Sequence, residues 1–268
     1  MSVISNKVGK LEYLTAEGIS VPHCFTTRYG GVSEGYLASL NLGIHRGDKP
    51  ENVVKNYEIL GNALGFRVED LVFTRQTHTN IVRPVDKNNC GEGLFREVEP
   101  ECDALVTATP GVALAAFTAD CTPILLHDPV TGAVGAVHAG WRGTVGDIAG
   151  NAVRAMGAQF GTKPEDIRAA IGPNIGVCCF ETHSDVPDAV RAVLGAEAEA
   201  FVVPVGEKFR VDLKGVNAAL LRRAGVRHIE VSCDCTACQP ERFWSHRRVG
   251  NDRGSLAAII VCEGGKTQ

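Results

Sequence analysis

The chain has 268 residues, 44% of them hydrophobic and 22% charged, and a net charge of −4 at pH 7 with neutral histidines. This composition is typical of a folded globular protein, and the slight acidity gives no electrostatic reason to expect a nucleic acid or an anionic membrane as a partner. There is no apolar run of about 18 residues and no recognisable signal peptide, so we expect a cytoplasmic protein with one domain over residues 1–268.

Four segments carry the apolar periodicity of amphipathic helices. The first, residues 47–65, has Asp48 as a candidate N-cap, Pro50 in its first turn and Gly65 at its end. Three further helices are predicted over residues 147–161, 183–195 and 213–225.

Short apolar runs between the helices predict β-strands. These runs are residues 103–109, 112–119, 123–128, 133–139, 167–172, 228–233 and 256–262. Strands cluster before residue 140 and alternate with helices after it. The pattern favours an α+β fold in which mixed β-sheets are flanked by helices.

The third and fourth of these runs surround the segment DPVTG, which has the composition of a turn. They should therefore form an antiparallel hairpin. With the turn centred near Val130, Cys121 and His138 face each other at the base of the hairpin to within one residue of register. Directly opposed side chains have Cβ atoms roughly 4.5–5.5 Å apart, which is close enough for a thiolate–imidazole pair or for two ligands of one metal.

Cys121 and His138 lie in polar, glycine-rich strand ends, "TADCTP" and "HAGWRG", where active sites tend to occur. Three interpretations are open. The pair could be a buried thiol beside a structural histidine, or part of a site for zinc or copper with one coordination position left open. In the third, His138 lowers the pKa of Cys121 and makes it a nucleophile without any metal.

Other cysteines give weaker signals. Cys233, Cys235 and Cys238 form a C-x-C-x-x-C cluster, but a second C-x-x-C or a suitably spaced histidine pair is missing, so packing is favoured over structural zinc. Cys178 and Cys179 are adjacent. In a strand they would point in opposite directions and would not share a metal.

Several well-known motifs are absent or in the wrong context. Residues 31–35, GVSEG, match G-x-S-x-G, but their flanks have loop composition rather than the strand and helix that a nucleophile elbow needs. The chain has no Walker loop, no dinucleotide-binding G-x-G-x-x-G and no H-E-x-x-H. No two histidines are spaced H-x-H, the pattern expected of multicopper oxidases, so a blue-copper oxidase is disfavoured.

Six segments in order resemble one family. They are FTTRYGGVSEGYLASLNLG, QTH, ADCTPILL, VHAGWRGT, IGPNIGVCCFE and CTACQPERFWSHRR, which together span residues 25–248. This order is similar to that of the polyphenol oxidase or laccase-domain family, also called YfiH-like or peptidoglycan editing factor, which includes multifunctional purine nucleoside phosphorylases.

The resemblance implies a single α+β domain in which His78, Cys121 and His138 bind one zinc ion. It also implies phosphorolysis of adenosine, inosine and methylthioadenosine, and deamination of adenosine. Some members are linked instead to removing wrong amino acids from peptidoglycan precursors. Arg253 stands in "NDRGSLAAII" where relatives often have a Gly-Arg pair, and no role is carried onto it.

Residue roles follow from these reactions as hypotheses. Asp120, beside the ligand Cys121, is a candidate proton shuttle for deamination. Arg28 is the first candidate for a phosphate clamp, because a guanidinium matches phosphate in a bidentate way, and Arg142 is the second. Gln76 and Asn41 are candidates to bind the edges of the base or the ribose.

The expected partners are a purine nucleoside and phosphate, bound by a monomer, with zinc as the metal and copper possible. Three alternatives remain open. They are a cysteine- or zinc-dependent hydrolase that edits peptidoglycan precursors, a non-catalytic zinc-binding module, and a copper-dependent polyphenol oxidase.

Overall fold

Fifteen strands and six α-helices form among the residues that the structure, a computed structural model, describes, which are 3–98 and 100–265. The strands are β1 Val3–Val8, β2 Leu11–Ala16, β3 His23–Thr26, β4 Leu71–Phe73, β5 Val82–Pro84, β6 Ala104–Thr107, β7 Ala113–Thr118, β8 Thr122–His127, β9 Val134–Ala139, β10 Arg168–Ile171, β11 Glu181–Thr182, β12 Val202–Val205, β13 Lys208–Val211, β14 His228–Val231 and β15 Leu256–Val261. The helices are α1 Pro50–Leu64, α2 Trp141–Val145, α3 Ile148–Phe160, α4 Asp185–Leu194, α5 Leu213–Arg223 and α6 His246–Val249.

The strands form two large sheets and one small sheet. The first sheet has the order β1-β2-β3-β15-β7-β4, the second β14-β10-β8-β9-β6-β5, and the third β11-β13-β12. Both large sheets are mixed, because β4 pairs with β7, β5 with β6 and β10 with β14 in parallel while the remaining pairs are antiparallel. The predicted α+β fold with mixed sheets is thus confirmed.

The two large sheets pack face to face, and helices cover their outer faces. The central core contains Phe25 and Leu114 from the first sheet and Leu125 and Ala170 from the second. Helix α1 covers the first sheet, and α3 and α5 cover the second. Because the central strands are buried on both faces, they are continuous apolar runs rather than alternating ones.

All four predicted helices and all seven predicted strands form, with bounds within a few residues of those expected. The proposed N-cap of α1 is wrong. Lys49 occupies that position, and Asp48 lies one residue earlier, where its carboxylate accepts hydrogen bonds from Ser33 Oγ at 2.6 Å and Asn41 Nδ2 at 2.9 Å. None of the described helices is long and apolar enough to cross a membrane.

The predicted hairpin is strands β8 and β9, and its register differs slightly from the expected one. His138 pairs with Pro123, and Ala139 with Thr122. Cys121 therefore lies two residues from the position opposite His138, so the two are diagonal neighbours rather than directly opposed. Positions two residues apart share a face, and the two side chains remain on the same side of the hairpin.

Candidate metal centre and its cavity

Three ligand-type side chains meet where the chain passes from the first large sheet to the second. His78 lies in the loop between β4 and β5, Cys121 in the turn between β7 and β8, and His138 in β9. Their nitrogen and sulfur ligand atoms all lie within 4.8 Å of one another. Cys121 Sγ is 3.7 Å from His78 Nε2, and the centroids of the two imidazole rings are 5.0 Å apart.

Gly140, directly after β9, has no side chain and so leaves room for His78 and Cys121 to come close to His138. A Cβ atom built on Gly140 would overlap His78 Cδ2 and would lie 3.5 Å from Cys121 Sγ. The small residues that follow His138 in the sequence are therefore a packing requirement of the site.

The backbone also adopts unusual conformations at the site. Among the described residues, three that are not glycine have positive φ, and two of them are His78 at 63° and Asp120 at 88°. Such conformations cost about 1–3 kcal/mol each and persist only where the surroundings hold them. Here Asp103 Oδ1 accepts a hydrogen bond from the His78 backbone N–H at 3.1 Å, and Asp120 O accepts one from Ile175 N–H at 2.9 Å.

Asp103 orients two of the three ligands. Its fully buried carboxylate accepts a hydrogen bond from His138 Nδ1 at 2.7 Å, which leaves Nε2 of that ring for the centre. The same carboxylate binds the backbone N–H groups of Thr77, His78 and Thr79. Burial raises the pKa of Asp103, but the hydrogen bonds from His138 and Thr79 outweigh it and hold the pKa at about 2.

The electrostatics of the site favour the thiolate form of Cys121 that a metal needs. Burial raises the pKa of the Cys121 thiol, but the charge of His138 and hydrogen bonds from both histidines bring it down to about 6. Burial lowers the pKa of His138, whereas the Cys121 thiolate and the Asp103 carboxylate raise it to about 9. These charges favour a proton on His138, which a metal ion would have to displace.

The donor set fits one metal ion with an open coordination position. Two imidazoles and a thiolate suit zinc or copper, and three protein ligands are the number typical of catalytic zinc sites. A buried carboxylate on the second nitrogen of a ligating histidine is the usual support of such a centre. His78, Cys121 and His138 could therefore hold the ion together, with Asp103 behind them.

The three ligands line a cavity of about 1020 Å³, at the upper end of the range for small-molecule sites. Phe73, Leu94, Phe95, Val98 and Phe117 contribute apolar surface to its wall. Arg46, Arg75, Arg96 and Arg253 also line it. The cavity thus combines a metal-ligand set with apolar walls and concentrated positive charge.

Arg253 is the most distinctive of these arginines. It is 9% exposed, its Nη1 donates to Gly254 O at 3.0 Å, and its buried Nε has no hydrogen-bond partner. Burial and the nearby charge of Arg46 lower the pKa of Arg253 to about 10, so it is still protonated at neutral pH. A buried donor without a partner is rare in folded proteins, and it belongs here to a charged side chain that lines the cavity.

Arg28, the first candidate for a phosphate clamp, is not brought to this cavity. Its guanidinium donates to Ala38 O at 2.9 Å and to Pro240 O at 2.9 Å, and it lies 3.6 Å from the centroid of the Trp244 ring. Its donors therefore bind backbone and connect two loops.

Asn41 and Arg142 also lie outside the cavity lining. Asn41 is fully buried, and its Oδ1 accepts hydrogen bonds from Gly43 N–H and Ser255 N–H, each at 3.0 Å. Arg142 is exposed on α2 and lies 4.3 Å from the centroid of the Trp141 ring. Asn41 supports the loops behind the site, and Arg142 faces solvent.

Gln76 and Asp120 are close to the centre, but their polar atoms are engaged. Gln76 lines the cavity, and its amide pairs with the backbone of Phe117 through Nε2 to O at 2.7 Å and N–H to Oε1 at 2.6 Å. The Asp120 carboxylate accepts hydrogen bonds from Thr236 Oγ1 and the Arg247 N–H, each at 2.6 Å. Both residues hold the site in shape rather than present free groups to it.

Sequence reasoning did not identify Asp103, Arg46 or Arg253 as site residues. Asp103 carries one local signal, since it is an acidic residue directly before the apolar residues 104–106 of a fully buried strand. Arg46 and Arg253 lie 207 residues apart in the sequence, and no spacing pattern connects two residues so distant.

Replacing Asp103 with asparagine should weaken metal binding by about 10- to 100-fold, the usual effect of losing an outer-shell partner. The amide keeps the size of the carboxylate but not its charge, so His138 would lose its charged acceptor. Competition with a chromophoric zinc chelator measures the affinity, and circular dichroism checks folding. Asp188→Asn, at an exposed position on α4, is the control. Unchanged affinity in a folded Asp103→Asn protein would contradict this role.

The chain is similar to known proteins along most of its length. The chain is 42% identical over 250 residues to a protein of Deinococcus radiodurans named purine nucleoside phosphorylase, covering 93% of this chain and 92% of that protein. It is 41% identical over 243 residues to purine nucleoside phosphorylase YlmD of Geobacillus stearothermophilus, covering 88% of each.

Two solved structures have the same fold along almost the full chain. The hypothetical protein YfiH of Bacillus licheniformis superposes with a TM-score of 0.90 at 35% identity, covering 98% of this chain and 99% of that one. YlmD of Geobacillus stearothermophilus gives 0.88 at 37% identity, covering 97% and 99%. The model of the family described as multi-copper polyphenol oxidoreductase laccase matches residues 22–263, and the chain belongs to that family.

Proposed function

We propose that this protein is an enzyme that cleaves purine nucleosides with phosphate, in a cavity where a bound zinc ion and a buried arginine act side by side. One observation carries the proposal: the unpartnered Nε of Arg253 is buried in the wall of the cavity that also contains His78, Cys121 and His138. The printed names of the relatives from Deinococcus radiodurans and Geobacillus stearothermophilus support the same activity.

Phosphorolysis requires phosphate to be held against C1′ of the ribose while the bond from C1′ to the purine breaks. Arg253 and Arg46 are the groups that this chain offers for the phosphate, since guanidinium donors match phosphate oxygens in a bidentate way. Because Arg253 is buried and held by Gly254 O, it presents its donors with little loss of side-chain freedom.

The apolar walls suit the purine. Phe117 and Phe95 are lining residues, and a flat heteroaromatic base gains contact area against such rings. The structure therefore offers separate groups for the two ends of the reaction, positive charge for phosphate and aromatic surface for the base.

His78, Cys121 and His138 would hold the zinc ion, which when bound supplies Lewis-acid chemistry to a substrate oxygen or nitrogen. We assign zinc rather than copper because neither phosphorolysis nor deamination of a nucleoside requires the metal ion to change its oxidation state. Asp103 keeps His138 in the tautomer that presents Nε2 to the centre.

Deamination of adenosine is a second reaction that the same centre could support. The observation that favours it is the number of ligands, because three protein ligands leave a coordination position open. Asp120 is a weaker candidate for proton transfer in this reaction than its sequence position suggests, since both of its carboxylate oxygens accept hydrogen bonds within the protein.

The test is chromatography of the products formed from adenosine by the purified protein, with and without phosphate. We expect adenine and ribose 1-phosphate only when phosphate is present, and inosine if deamination also occurs. Zinc analysis of the same sample checks the metal. If adenosine, inosine and methylthioadenosine all remain intact with zinc bound, the nucleoside proposal fails and peptidoglycan precursors become the next substrates to assay.

A further inference from the structure

A second group of four cysteines gathers away from the cavity. Cys178 and Cys179 lie in the loop between β10 and β11, and Cys235 and Cys238 lie in the segment after β14. Their four sulfur atoms are all within 4.8 Å of one another. Cys238 Sγ is 3.5 Å from Cys178 Sγ and 3.4 Å from Cys179 Sγ.

These spacings match a tetrahedral thiolate site. Zinc binds cysteine sulfur at about 2.3 Å, and four sulfurs at that distance from one ion lie about 3.8 Å apart. A set of four cysteines around one ion is a common form of structural zinc site. The four sulfurs already stand close to the positions that such an ion requires.

The local backbone explains how adjacent cysteines contribute to one site. Cys178 and Cys179 lie in a turn rather than in the strand assumed from the sequence, so their side chains are not forced to opposite faces. Cys235 and Cys238 form the C-x-x-C half of the group, also in a turn. The missing second pair of the C-x-C-x-x-C segment is therefore the Cys178–Cys179 pair, 56 residues upstream of Cys235.

The backbone around Cys235 stabilises its thiolate. The backbone N–H of Gly176 donates to Cys235 Sγ at 3.1 Å, and a Cβ atom at Gly176 would crowd Cys178 Sγ at 3.3 Å and Cys235 Cβ at 3.2 Å. Three cationic side chains bind backbone carbonyls of the same two segments. They are Lys214 on Asp234 O, Arg247 on Cys179 O and Arg248 on Ala237 O. Their positive charge offsets the excess negative charge of four thiolates around a divalent ion.

Cys178 and Cys238 are exposed whereas Cys235 is buried. An ion can therefore enter from solvent and be held against the interior, as a structural site requires. Cys233, which shares the sequence cluster, is exposed and is not a member of the group of four.

We propose that Cys178, Cys179, Cys235 and Cys238 bind a structural zinc ion that clamps two loops behind the metal centre of the cavity. Both loops hold Asp120, the neighbour of Cys121. Ile175 N–H from the first loop donates to Asp120 O at 2.9 Å, and Thr236 Oγ1 from the second donates to Asp120 Oδ1 at 2.6 Å. The second ion thus fixes the strained backbone that presents Cys121.

Zinc stoichiometry measured by mass spectrometry of the purified protein tests this proposal. The wild type should contain two equivalents of zinc. Cys238→Ser and Cys179→Ser should each retain one equivalent, and Cys121→Ala should retain the other. Cys233→Ser, changed in the same segment but outside the group, should retain two.

Thermal unfolding supplies a readout that is independent of activity. Chelation should lower the Tm of the wild type and of Cys233→Ser in two separable steps, and that of Cys238→Ser in one. A folded wild type with a single zinc that Cys121→Ala removes and Cys238→Ser leaves in place would overturn the proposal. So would peptide mapping of freshly purified protein that finds a disulfide between Cys238 and either Cys178 or Cys179.

Discussion

Cys121→Ala is expected to remove the metal ion from the cavity and to lower the rate of adenosine phosphorolysis by more than about 100-fold. Losing a residue that only supports a ligand typically costs about 10- to 100-fold, and Cys121 is itself a proposed ligand. The reason is that Cys121 supplies the only thiolate of the three-residue set, with its Sγ 3.7 Å from His78 Nε2. Its loss would also leave the His138 imidazolium without its closest anion besides Asp103. Metal analysis and the product assay measure the two effects on the same preparation.

Cys90→Ala is the matched control, because Cys90 is a partly buried thiol outside both cysteine groups. It should keep the metal content and turnover of the wild type. Full phosphorolysis by a metal-free Cys121→Ala protein would sink the metal-dependent mechanism. A different result would be equally informative: activity that survives chelation but disappears in Cys121→Ala would make Cys121 a nucleophile that works without metal.

Arg253→Gln is expected to raise the KM for phosphate by about 10- to 100-fold, since a hydrogen bond to a charged group is worth about 1.5–3 kcal/mol and each 1.4 kcal/mol is tenfold. The change removes a buried positive charge whose Nε lacks any partner within the protein. The KM for adenosine should change much less, because the apolar walls of the cavity remain. Steady-state kinetics with either substrate varied separates the two effects.

Arg67→Gln controls for the loss of one positive charge, because the Arg67 side chain is 76% exposed and pairs with Glu69 at the surface. Arg253→Lys keeps the charge but not the planar fork, and an intermediate KM for phosphate would show that geometry as well as charge matters. A normal KM for phosphate in Arg253→Gln, together with a raised one in Arg142→Gln, would return the phosphate site to Arg142, the second of the two arginines suggested by the sequence.

Local sequence patterns were sufficient for four helices, seven strands and two of the three ligands of the candidate site. The β8–β9 hairpin follows from two apolar runs around a turn, and it places Cys121 and His138 on one face even though the register differs from the predicted one. Strands β1 and β5 were missed because they are edge strands with polar or partly exposed residues. Strands β12 and β13 were missed because only one end of each is buried. Strands β2, β3, β4 and β11 were not predicted either.

The third ligand, His78, could not be predicted from local sequence patterns alone. His78 lies 43 residues before Cys121 and reaches it only because β4 and β7 are parallel neighbours in the first sheet. His78 was assigned as a ligand from the resemblance to a family, and the structure places its ring within 4.8 Å of the ligand atoms of Cys121 and His138. Asp103 escaped notice because its function depends on contacts with His138 and with the backbone around His78, neither of which a single sequence displays.

The sequence by itself determined the fold class, the four longest helices and the hairpin that carries two of the ligands, because these depend on apolar periodicity and turn chemistry over fewer than about 20 residues. The tertiary structure alone decided which arginines face the cavity and which cysteines form a group. Arg28 was attractive for its glycine-rich context, yet its donors are taken by Ala38 and Pro240, whereas Arg253, from the other end of the chain, keeps a free donor. Cys178 and Cys238 meet across 60 residues in the same way. Contacts of this kind form when distant strands and loops pack together. They produce no repeating pattern of residues along the chain, so they cannot be predicted from local periodicity.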